Sequence, residues 1–309
     1  MSNPSSNPPI DLVSLLDLET LEDNLFRGVS PPSRWPRVFG GQVIGQAMVA
    51  ACRTVEGRLP HSLHAYFILP GDPSVPIIYE VGRLRDGRSF TTRRITAIQH
   101  GAAIFSMIVS FAAAEGDSFA HQEPMPDVPS PDALSPEKMR DNRLIQSAPR
   151  YAKRFFGDEA AKKSPVLMRP VEFERYFGKK IENGRINMWT RTSADLPDDP
   201  AIHLCALGYL SDMALLDTVA ARYGQTFFQD NIMAASLDHA MWFHRPFRAD
   251  EWLLYSQESP NANSGRGLAR GLVFRQDGTL VASVAQEGLV RFRGQRPAPQ
   301  EGPEPLGMP

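Results

Sequence analysis

Two segments of this 309-residue chain are apolar on nearly every side, and they constrain the fold more than any other feature. One is GGQVIGQAMVAACRTV in the first half, and the other is LCALGYLSDMALLDTVAARYG in the second half. Both are rich in Gly, Ala and aliphatic residues and predict helices. A helix that is apolar all round must be buried on most of its sides. Each of these helices therefore needs a layer that covers it.

Long strand-like segments follow each apolar helix. They are SLHAYFILP, PIIYEVGRLRDG, SFTTRRITAIQH and AAIFSMIVSFAAA in the first half, and AASLDHAMWFHRPF, EWLLYSQESP, GLARGLVFRQ and TLVASVAQEGLVRF in the second. Their β-branched and aromatic residues are typical of strands, and His100-Gly101 and Asp277-Gly278 stand where hairpin turns belong. Shorter strand-like segments precede the helices: DNLFRGVS, VEFERYF and INMWTRT. We therefore expect an α+β protein in which two antiparallel sheets each wrap around one central helix.

The order of these elements is the same in both halves, which indicates an internal duplication. Short words agree as well: Leu63-His64-Ala65 matches Asp238-His239-Ala240, and Gln99-His100-Gly101 matches Gln276-Asp277-Gly278. Chance matching of short words is the alternative explanation, and the shared order of elements weakens it.

Two proline-rich segments divide the chain. The predicted domains are an N-terminal one over residues 10–115 and a C-terminal one over residues 166–294, which carries the candidate site. Residues 116–165 are the predicted proline-rich linker, and residues 295–309 are predicted to form a disordered proline-rich tail.

Three polar residues of the second half occupy positions where apolar ones are expected: Asp212, Ser236 and Gln286. Residues 280–290 alternate as a strand and place Gln286 on an otherwise apolar face. Helical spacing sets Asp212 beside four apolar or small residues: Gly208, Leu215, Leu216 and Val219. Buried polar groups need partners, so we expect the three to share one site. Each alone has a structural explanation, and Asp217 in the same apolar segment is a second buried-type aspartate.

Composition excludes several classes of function. The 33 basic and 35 acidic residues give a net charge of −2 without a run of like charge, so neither a nucleic-acid partner nor a membrane partner is expected. Cys52 and Cys205 are far apart in the sequence and form no CxxC, which favours a reducing compartment over a disulfide or zinc framework. The start of the chain lacks the pattern of a signal peptide, no run approaches the ~20 apolar residues of a membrane span, and the last residues are not a peroxisomal address. A cytoplasmic protein is the expectation.

Motifs for cofactors and metals are weak. FGGQVIGQ and SGRGLARG contain glycines without the surrounding features of a nucleotide-binding loop, and close helix-to-sheet packing explains the first better. The seven histidines contain no HExxH, and His239 and His244 face opposite ways on a regular strand. A hydrolase triad of Ser236, His239 and Asp212 can be drawn, but no G-x-S-x-G elbow accompanies it. We expect no cofactor and no metal.

The chain resembles the acyl-CoA thioesterase II family, the double-hotdog thioesterases. The resemblance covers nearly the whole length through DNLFRG, RVFGGQVIGQA, the strand run from SLHAYFILP to TAIQHG, SLDHAMWFHRPFRADEWLLY and VASVAQEGLVR. It implies a double hotdog in one chain that hydrolyses fatty acyl-CoA to free acid and CoA without a cofactor. The catalytic residues it implies are Asp212, Ser236 and Gln286. The hydroxyl position is often Thr in the family and is Ser here.

With those roles, Asp212 acts as general base for a water that Ser236 and Gln286 hold against the thioester carbonyl. Backbone N–H groups around Gly208 are the expected donors to the oxyanion. The first half carries Gly45 or a neighbour in place of Asp212 and Val109 in place of Gln286, so only one half should be catalytic. Because hotdog sheets expose edges, a homodimer or homotetramer is expected. Open alternatives are a non-catalytic acyl-binding hotdog, a hotdog hydratase or dehydratase, and hydrolysis of oxygen esters or acyl-carrier-protein thioesters.

Overall fold

The computed structural model describes residues 11–31, 36–116, 118–135, 164–227 and 231–294. Within these residues, the first half contains two helices and six strands. They are α1 (Leu12–Leu16), β1 (Glu19–Glu22), β2 (Leu25–Gly28), α2 (Gly40–Cys52), β3 (Leu59–Phe67), β4 (Ile77–Asp86), β5 (Phe90–Gln99) and β6 (Ala102–Ala112). The predicted tail, residues 295–309, lies outside the described residues.

The second half shares the order of two strands, a central helix and four strands, and adds α4 and β9 after the central helix. Its elements are β7 (Val166–Pro170), β8 (Arg185–Thr192), α3 (Pro200–Ser211), α4 (Thr218–Ala221), β9 (Ile232–Ser236), β10 (Asp238–Phe243), β11 (Leu253–Asn263), β12 (Arg266–Arg275) and β13 (Leu280–Phe292). Two short 3₁₀ helices, Pro131–Leu134 and Phe173–Phe177, complete the described elements. VEFERYF was predicted as a strand and is wrong, because it forms the second of these 3₁₀ helices.

All described strands join one antiparallel sheet in the order β1-β2-β4-β5-β6-β3-β10-β13-β12-β11-β8-β7, with β9 also paired to β13. The expectation of two separate sheets is therefore corrected: β3 and β10 pair antiparallel and join the halves. Each of these strands would otherwise be an edge with unpaired backbone groups, and their pairing removes both edges. The predicted hairpin turns are present, with Gly101 and Gly278 at positive φ.

The central helices α2 and α3 pack directly on each other inside the sheet. Three glycines allow the close approach: an added Cβ would lie 2.3 Å from the Tyr209 carbonyl oxygen at Gly41, 3.2 Å from the Cys205 carbonyl oxygen at Gly45, and 2.7 Å from the Met48 sulfur at Gly208. The glycines of FGGQVIGQ were predicted to serve helix-to-sheet packing. They serve mainly helix-to-helix packing, because the sheet places both helices in a single core.

The described part of the predicted linker lies against the second half. Trp189 Nε1 donates to the Pro129 carbonyl at 2.8 Å, and Gln122 Oε1 accepts from the backbone N–H of Leu280 at 3.1 Å. Met125 and Val128 pack on a small core of four residues: Trp189, Leu254, Phe274 and Leu280. Within the described residues, no helix is long and apolar enough to span a membrane.

Candidate active site

Asp212, Ser236 and Gln286 meet at one point in the second half. Gln286 Nε2 donates to Asp212 Oδ1 at 3.0 Å and to Ser236 Oγ at 2.7 Å. Ser236 Oγ donates to the same Asp212 oxygen at 3.2 Å. The structure thus brings together all three side chains that were predicted to share a site, and each is a direct partner of the other two.

Asp212 stands at the end of a helix and not within one. Helix α3 stops at Ser211, Asp212 is its C-cap, and a turn separates it from the short helix α4. The single helix predicted over this segment, and with it the contact pattern around Asp212, is therefore wrong. Two aspartates explain the break, since short polar side chains compete with the helix for hydrogen bonds. Asp212 bonds to Gln286 and Ser236, while Asp217 binds Thr226, the Phe227 N–H and Arg175.

A β-bulge orients Ser236 toward the helices. In the pairing with β13, Ser236 is opposite Gly288 and Ala240 is opposite Ala285, so four steps on one strand match three on the other. The extra residue is Leu237, which separates β9 from β10. A bulge shifts the alternation of side chains by one residue. As a result Ser236 and His239, three residues apart, both point to the inner face.

Burial raises the pKa of Asp212 from 3.8 to about 6, while hydrogen bonds from Gln286, Ser236 and the Gly41 backbone N–H oppose the rise. The sequence alone left open whether burial or hydrogen bonding would dominate, and in the structure burial dominates. A carboxylate with a pKa near 6 is ionised at neutral pH and still basic enough to take a proton from water. Asp212 therefore has the electrostatic properties of a general base.

The start of helix α2 faces this carboxylate from the first half. Gly40 approaches so closely that an added Cβ would lie 2.7 Å from Asp212 Oδ2 and 2.9 Å from the Phe67 ring. The first N–H groups of a helix have no partner within it and carry partial positive charge. Gly208 was expected to supply oxyanion donors, and this is corrected: it is the ninth residue of α3, where the backbone N–H belongs to the helix.

A second layer of polar residues surrounds the trio. His239 is fully buried, and its Nδ1 lies 2.6 Å from Gln286 Oε1 while its Nε2 lies 2.9 Å from Ser211 Oγ. The Tyr255 hydroxyl donates to the Ser211 carbonyl at 3.1 Å. Sequence reasoning missed this layer. The available signal was strand alternation, which places His239 on the same face of β10 as the apolar residue Met241.

The triad of Ser236, His239 and Asp212 does not form. Both ring nitrogens of His239 face Gln286 and Ser211, and Ser236 bonds to Asp212 and Gln286. His244 directly follows β10, and its ring is hydrogen-bonded to Ser283 of β13. Nucleophilic activation of Ser236 by a histidine therefore has no geometric basis in the described residues.

The first half lacks the corresponding groups. Asp212 is the C-cap of α3, and Arg53 is the C-cap of α2, so Arg53 is the counterpart of Asp212. Gly45 lies in the middle of α2, and its assignment as the counterpart is therefore corrected. Val109 is fully buried on β6, in the place of Gln286. His64 is exposed on β3, whereas His239 is buried on β10. The matching sequences Leu63-His64-Ala65 and Asp238-His239-Ala240 are therefore offset by one residue in the structure.

No group of three or more His, Cys, Asp or Glu side chains within the described ranges is placed to hold a metal ion. Two surface cavities lie away from the trio. One, of about 370 Å³, is lined by residues that include Phe243 and Arg245, and the other, of about 480 Å³, by residues that include Ile232 and Arg266.

Comparison with known proteins follows the same division of the chain. A family model described as acyl-CoA thioesterase matches residues 155–289, and a model described as acyl-CoA thioesterase N-terminal domain matches residues 31–112. Acyl-CoA thioesterase 2 of Haemophilus influenzae is 39% identical over 284 residues, covering 91% of this chain and 97% of that protein. Acyl-coenzyme A thioesterase 8 of Homo sapiens is 39% identical, covering 94% of this chain and 93% of its own.

Solved structures agree in fold. The crystal structure of an acyl-CoA thioesterase II from Mycobacterium marinum has a TM-score of 0.72 and 41% identity, and the match covers 91% of this chain and 98% of that one. A hot dog fold protein from Alicyclobacillus acidocaldarius has a TM-score of 0.71 at 18% identity, with coverage of 90% and 97%. The antiparallel sheet around central helices is therefore a hotdog fold.

Proposed function

Because this chain belongs to the acyl-CoA thioesterase family, we propose that it hydrolyses fatty acyl-CoA to free fatty acid and CoA by direct attack of water. One observation carries the mechanism: Asp212, Ser236 and Gln286 are mutually hydrogen-bonded beside the start of helix α2. The acid, the hydroxyl and the amide together provide a proton acceptor and groups that orient a small polar nucleophile.

Water enters this arrangement at its weakest contact. The Ser236–Asp212 hydrogen bond, at 3.2 Å, is the longest of the three. A water that inserts there donates one hydrogen to Asp212 and the other to Ser236 Oγ, which leaves an oxygen lone pair for the thioester carbonyl. Gln286 holds both acceptors in place through its Nε2.

The chemical step then balances without a covalent acyl-enzyme. The water oxygen bonds to the carbonyl carbon while Asp212 takes the proton, and collapse of the tetrahedral intermediate breaks the carbon–sulfur bond. The proton passes to the departing CoA sulfur, and the fatty acid leaves. This sequence regenerates ionised Asp212 for the next turnover.

Helix α2 supplies the electrostatics for the oxyanion in this proposal. The backbone N–H of Gly40 stands at its positive end, next to the Gly41 N–H that interacts with Asp212, and the missing side chain at Gly40 leaves room for the thioester beside Asp212. The first half would thus contribute the oxyanion site and the second half the base.

Two other classes of function are less well supported. A non-catalytic acyl-binding hotdog has no need of three mutually bonded polar groups in its core. A hotdog hydratase or dehydratase uses a histidine paired with a carboxylate, whereas His239 is bonded to an amide and a hydroxyl. The proposal extends to a cytoplasmic location and to a homodimer or homotetramer. Sedimentation velocity of the purified protein tests the oligomeric state.

The decisive experiment measures free CoA release with a thiol reagent across acyl-CoA substrates of short to long chain. Turnover by the parent protein, strongly reduced but measurable in Gln286→Ala and in Asp212→Asn, is the expected result. Appearance of enoyl absorbance without CoA release would instead identify a dehydratase. Tight acyl-CoA binding without any product would identify an acyl-binding protein.

A further inference from the structure

We infer that His239 is a positioning residue that fixes the orientation of the Gln286 amide, and that Ser211 selects the histidine tautomer this requires. This inference deepens the proposed function and rests on it for its kinetic consequences. It is built on three contacts: Asp212–Gln286, Gln286–His239 and His239–Ser211. Ser211, His239 and Gln286 are fully or almost fully buried, and Asp212 is partly buried.

The Gln286 amide has two orientations that differ by a 180° turn, and only one suits the site. Ionised Asp212 accepts hydrogen bonds and cannot donate them, so the amide nitrogen must face it. The amide oxygen then faces away, toward His239 Nδ1 at 2.6 Å. In the turned orientation the amide oxygen would face the Asp212 carboxylate, and the carboxylate would lose the hydrogen bond from Gln286 Nε2.

His239 can hold the amide oxygen only if Nδ1 carries the proton. Burial lowers the pKa of His239 to about 4, so the ring is neutral at physiological pH and carries one proton. With that proton on Nδ1, Nε2 is an acceptor and needs a donor. The Ser211 hydroxyl, at 2.9 Å, is that donor.

Ser211 could also donate to the Gly208 carbonyl, which lies 2.9 Å away on the same helix turn. The Met241 sulfur, at 3.3 Å, is a third and weaker acceptor. Ser211 has a single proton, and donation to His239 Nε2 satisfies an acceptor that has no other hydrogen-bond partner among the described residues. The chain of donors then runs in one direction, from Ser211 through His239 and Gln286 to the carboxylate of Asp212.

The network closes on itself because Ser211 and Asp212 are consecutive residues. Their shared backbone is held by the Tyr255 hydroxyl, which donates to the Ser211 carbonyl. The end of α3, strand β10 and strand β13 are therefore joined in one ring of contacts. Any turn of the Gln286 amide would break two of its hydrogen bonds at once.

The first test is kinetic, with CoA release as the measurement. His239→Leu removes the donor, and we expect kcat to fall by roughly 10- to 100-fold with KM nearly unchanged, because the trio loses its alignment and not its substrate contacts. His239→Asn returns an N–H near the position of Nδ1, and we expect it to recover much of the loss. His244→Leu is the matched control, since His244 also bonds to a β13 side chain but lies beyond the trio.

A double-mutant cycle separates positioning from general stabilisation. If His239 acts through Gln286, His239→Leu has no further effect on kcat in the Gln286→Ala protein. Equal fold losses in both backgrounds would overturn the inference, as would full activity of a folded His239→Leu.

Nitrogen NMR of the histidine rings gives a test that is independent of activity. We expect His239 to be neutral at pH 7 with its proton on Nδ1, and Ser211→Ala to raise the fraction with the proton on Nε2. A dominant Nε2–H tautomer in the parent would overturn the inference even if His239→Leu did not fold. Absence of thioesterase activity alongside the Nδ1–H tautomer would defeat the proposed function and leave the amide orientation standing.

Discussion

Gly40, the first residue of helix α2, lies against the carboxylate of Asp212, the C-cap of helix α3: a Cβ added at Gly40 would be 2.7 Å from Asp212 Oδ2. This contact places the positive end of α2 on the proposed general base. It stabilises the ionised form of Asp212 and partly opposes the effect of burial on its pKa. The proposed mechanism therefore draws on both halves of the chain.

Removal of the carboxylate at position 212 should abolish most of the activity. Asp212→Asn keeps the shape of the side chain but cannot accept a proton, and we expect kcat for acyl-CoA hydrolysis to fall by about 10²-fold or more. Asp199→Asn is the matched control, because Asp199 caps the opposite end of α3 and Asn also caps helices well. An Asp212→Asn protein with parental turnover would contradict the mechanism.

The pH dependence of activity should follow Asp212. Because its pKa is raised to about 6, kcat/KM should be flat above about pH 7 and fall about tenfold per pH unit below about pH 5. Gln286→Ala removes a hydrogen bond that lowers this pKa, so the residual activity of that variant should show a midpoint at higher pH. A parental midpoint near pH 4, the ordinary range for an aspartate, would count against burial as the dominant influence.

Ionisation of Asp212 should lower the stability of the fold, although the proposed activity requires the ionised form. Its pKa is higher in the folded than in the unfolded protein, so the folded state binds more protons between about pH 4 and pH 6. The contribution of this residue to stability therefore declines as pH rises through that window. We expect Asp212→Asn to raise Tm by a few degrees at pH 8 and to leave it unchanged below pH 4. Scanning calorimetry of both proteins at the two pH values measures this, and an equal Tm at pH 8 would refute it.

Any side chain at position 40 should reduce activity. The Cβ of Gly40→Ala would lie 2.7 Å from Asp212 Oδ2 and 2.9 Å from the Phe67 ring, so the carboxylate or the helix start must move. We expect at least a tenfold loss of kcat with little loss of stability, since Ala favours the helix over Gly. Gly82→Ala is the control, because an added Cβ there meets its nearest neighbour, the Arg94 carbonyl oxygen, at 3.7 Å. Parental kinetics in Gly40→Ala would show that the close approach has no catalytic role.

The buried ion pair between Arg175 and Asp217 should be structural. Both side chains are almost inaccessible, and Arg175 Nη2 lies 2.6 Å from Asp217 Oδ2. Arg175→Met leaves a buried carboxylate unpaired, and we expect a loss of ~3–5 kcal/mol in the free energy of unfolding. Urea denaturation measures the loss, and kcat at low temperature should stay near the parental value. Recovery of stability in the double variant Arg175→Met with Asp217→Leu is expected, and its absence would argue against an unpaired charge as the cause.

Much of the fold was available from the sequence. The two all-round apolar segments required covering sheets, and the alternation within the longer strands predicted their inner faces, including that of Gln286. The three polar residues were found because hydrophobic periodicity makes a polar residue on an apolar face conspicuous. The division into an N-terminal domain, a linker and a C-terminal domain remains a prediction at its stated boundaries.

The errors share a physical origin. The second helix was extended past Asp212 because local propensity favours its continuation, while tertiary hydrogen bonds to Asp212 and Asp217 end it. VEFERYF was assigned to a strand, yet it forms a 3₁₀ helix in which Arg175 turns inward to reach Asp217. In each case a contact between residues distant in sequence outweighed a local preference.

Hydrophobic periodicity was enough to predict which segments are buried, which helices and strands they favour, and which three polar groups lie among apolar neighbours. The packed chain was needed to establish three further features: the pairing of β3 with β10, the bulge at Leu237 that brings Ser236 and His239 to one face, and the approach of Gly40 to Asp212. Burial follows from local periodicity, whereas strand register, a one-residue bulge and the meeting of two helix ends depend on free energies that arise only when distant segments are packed together.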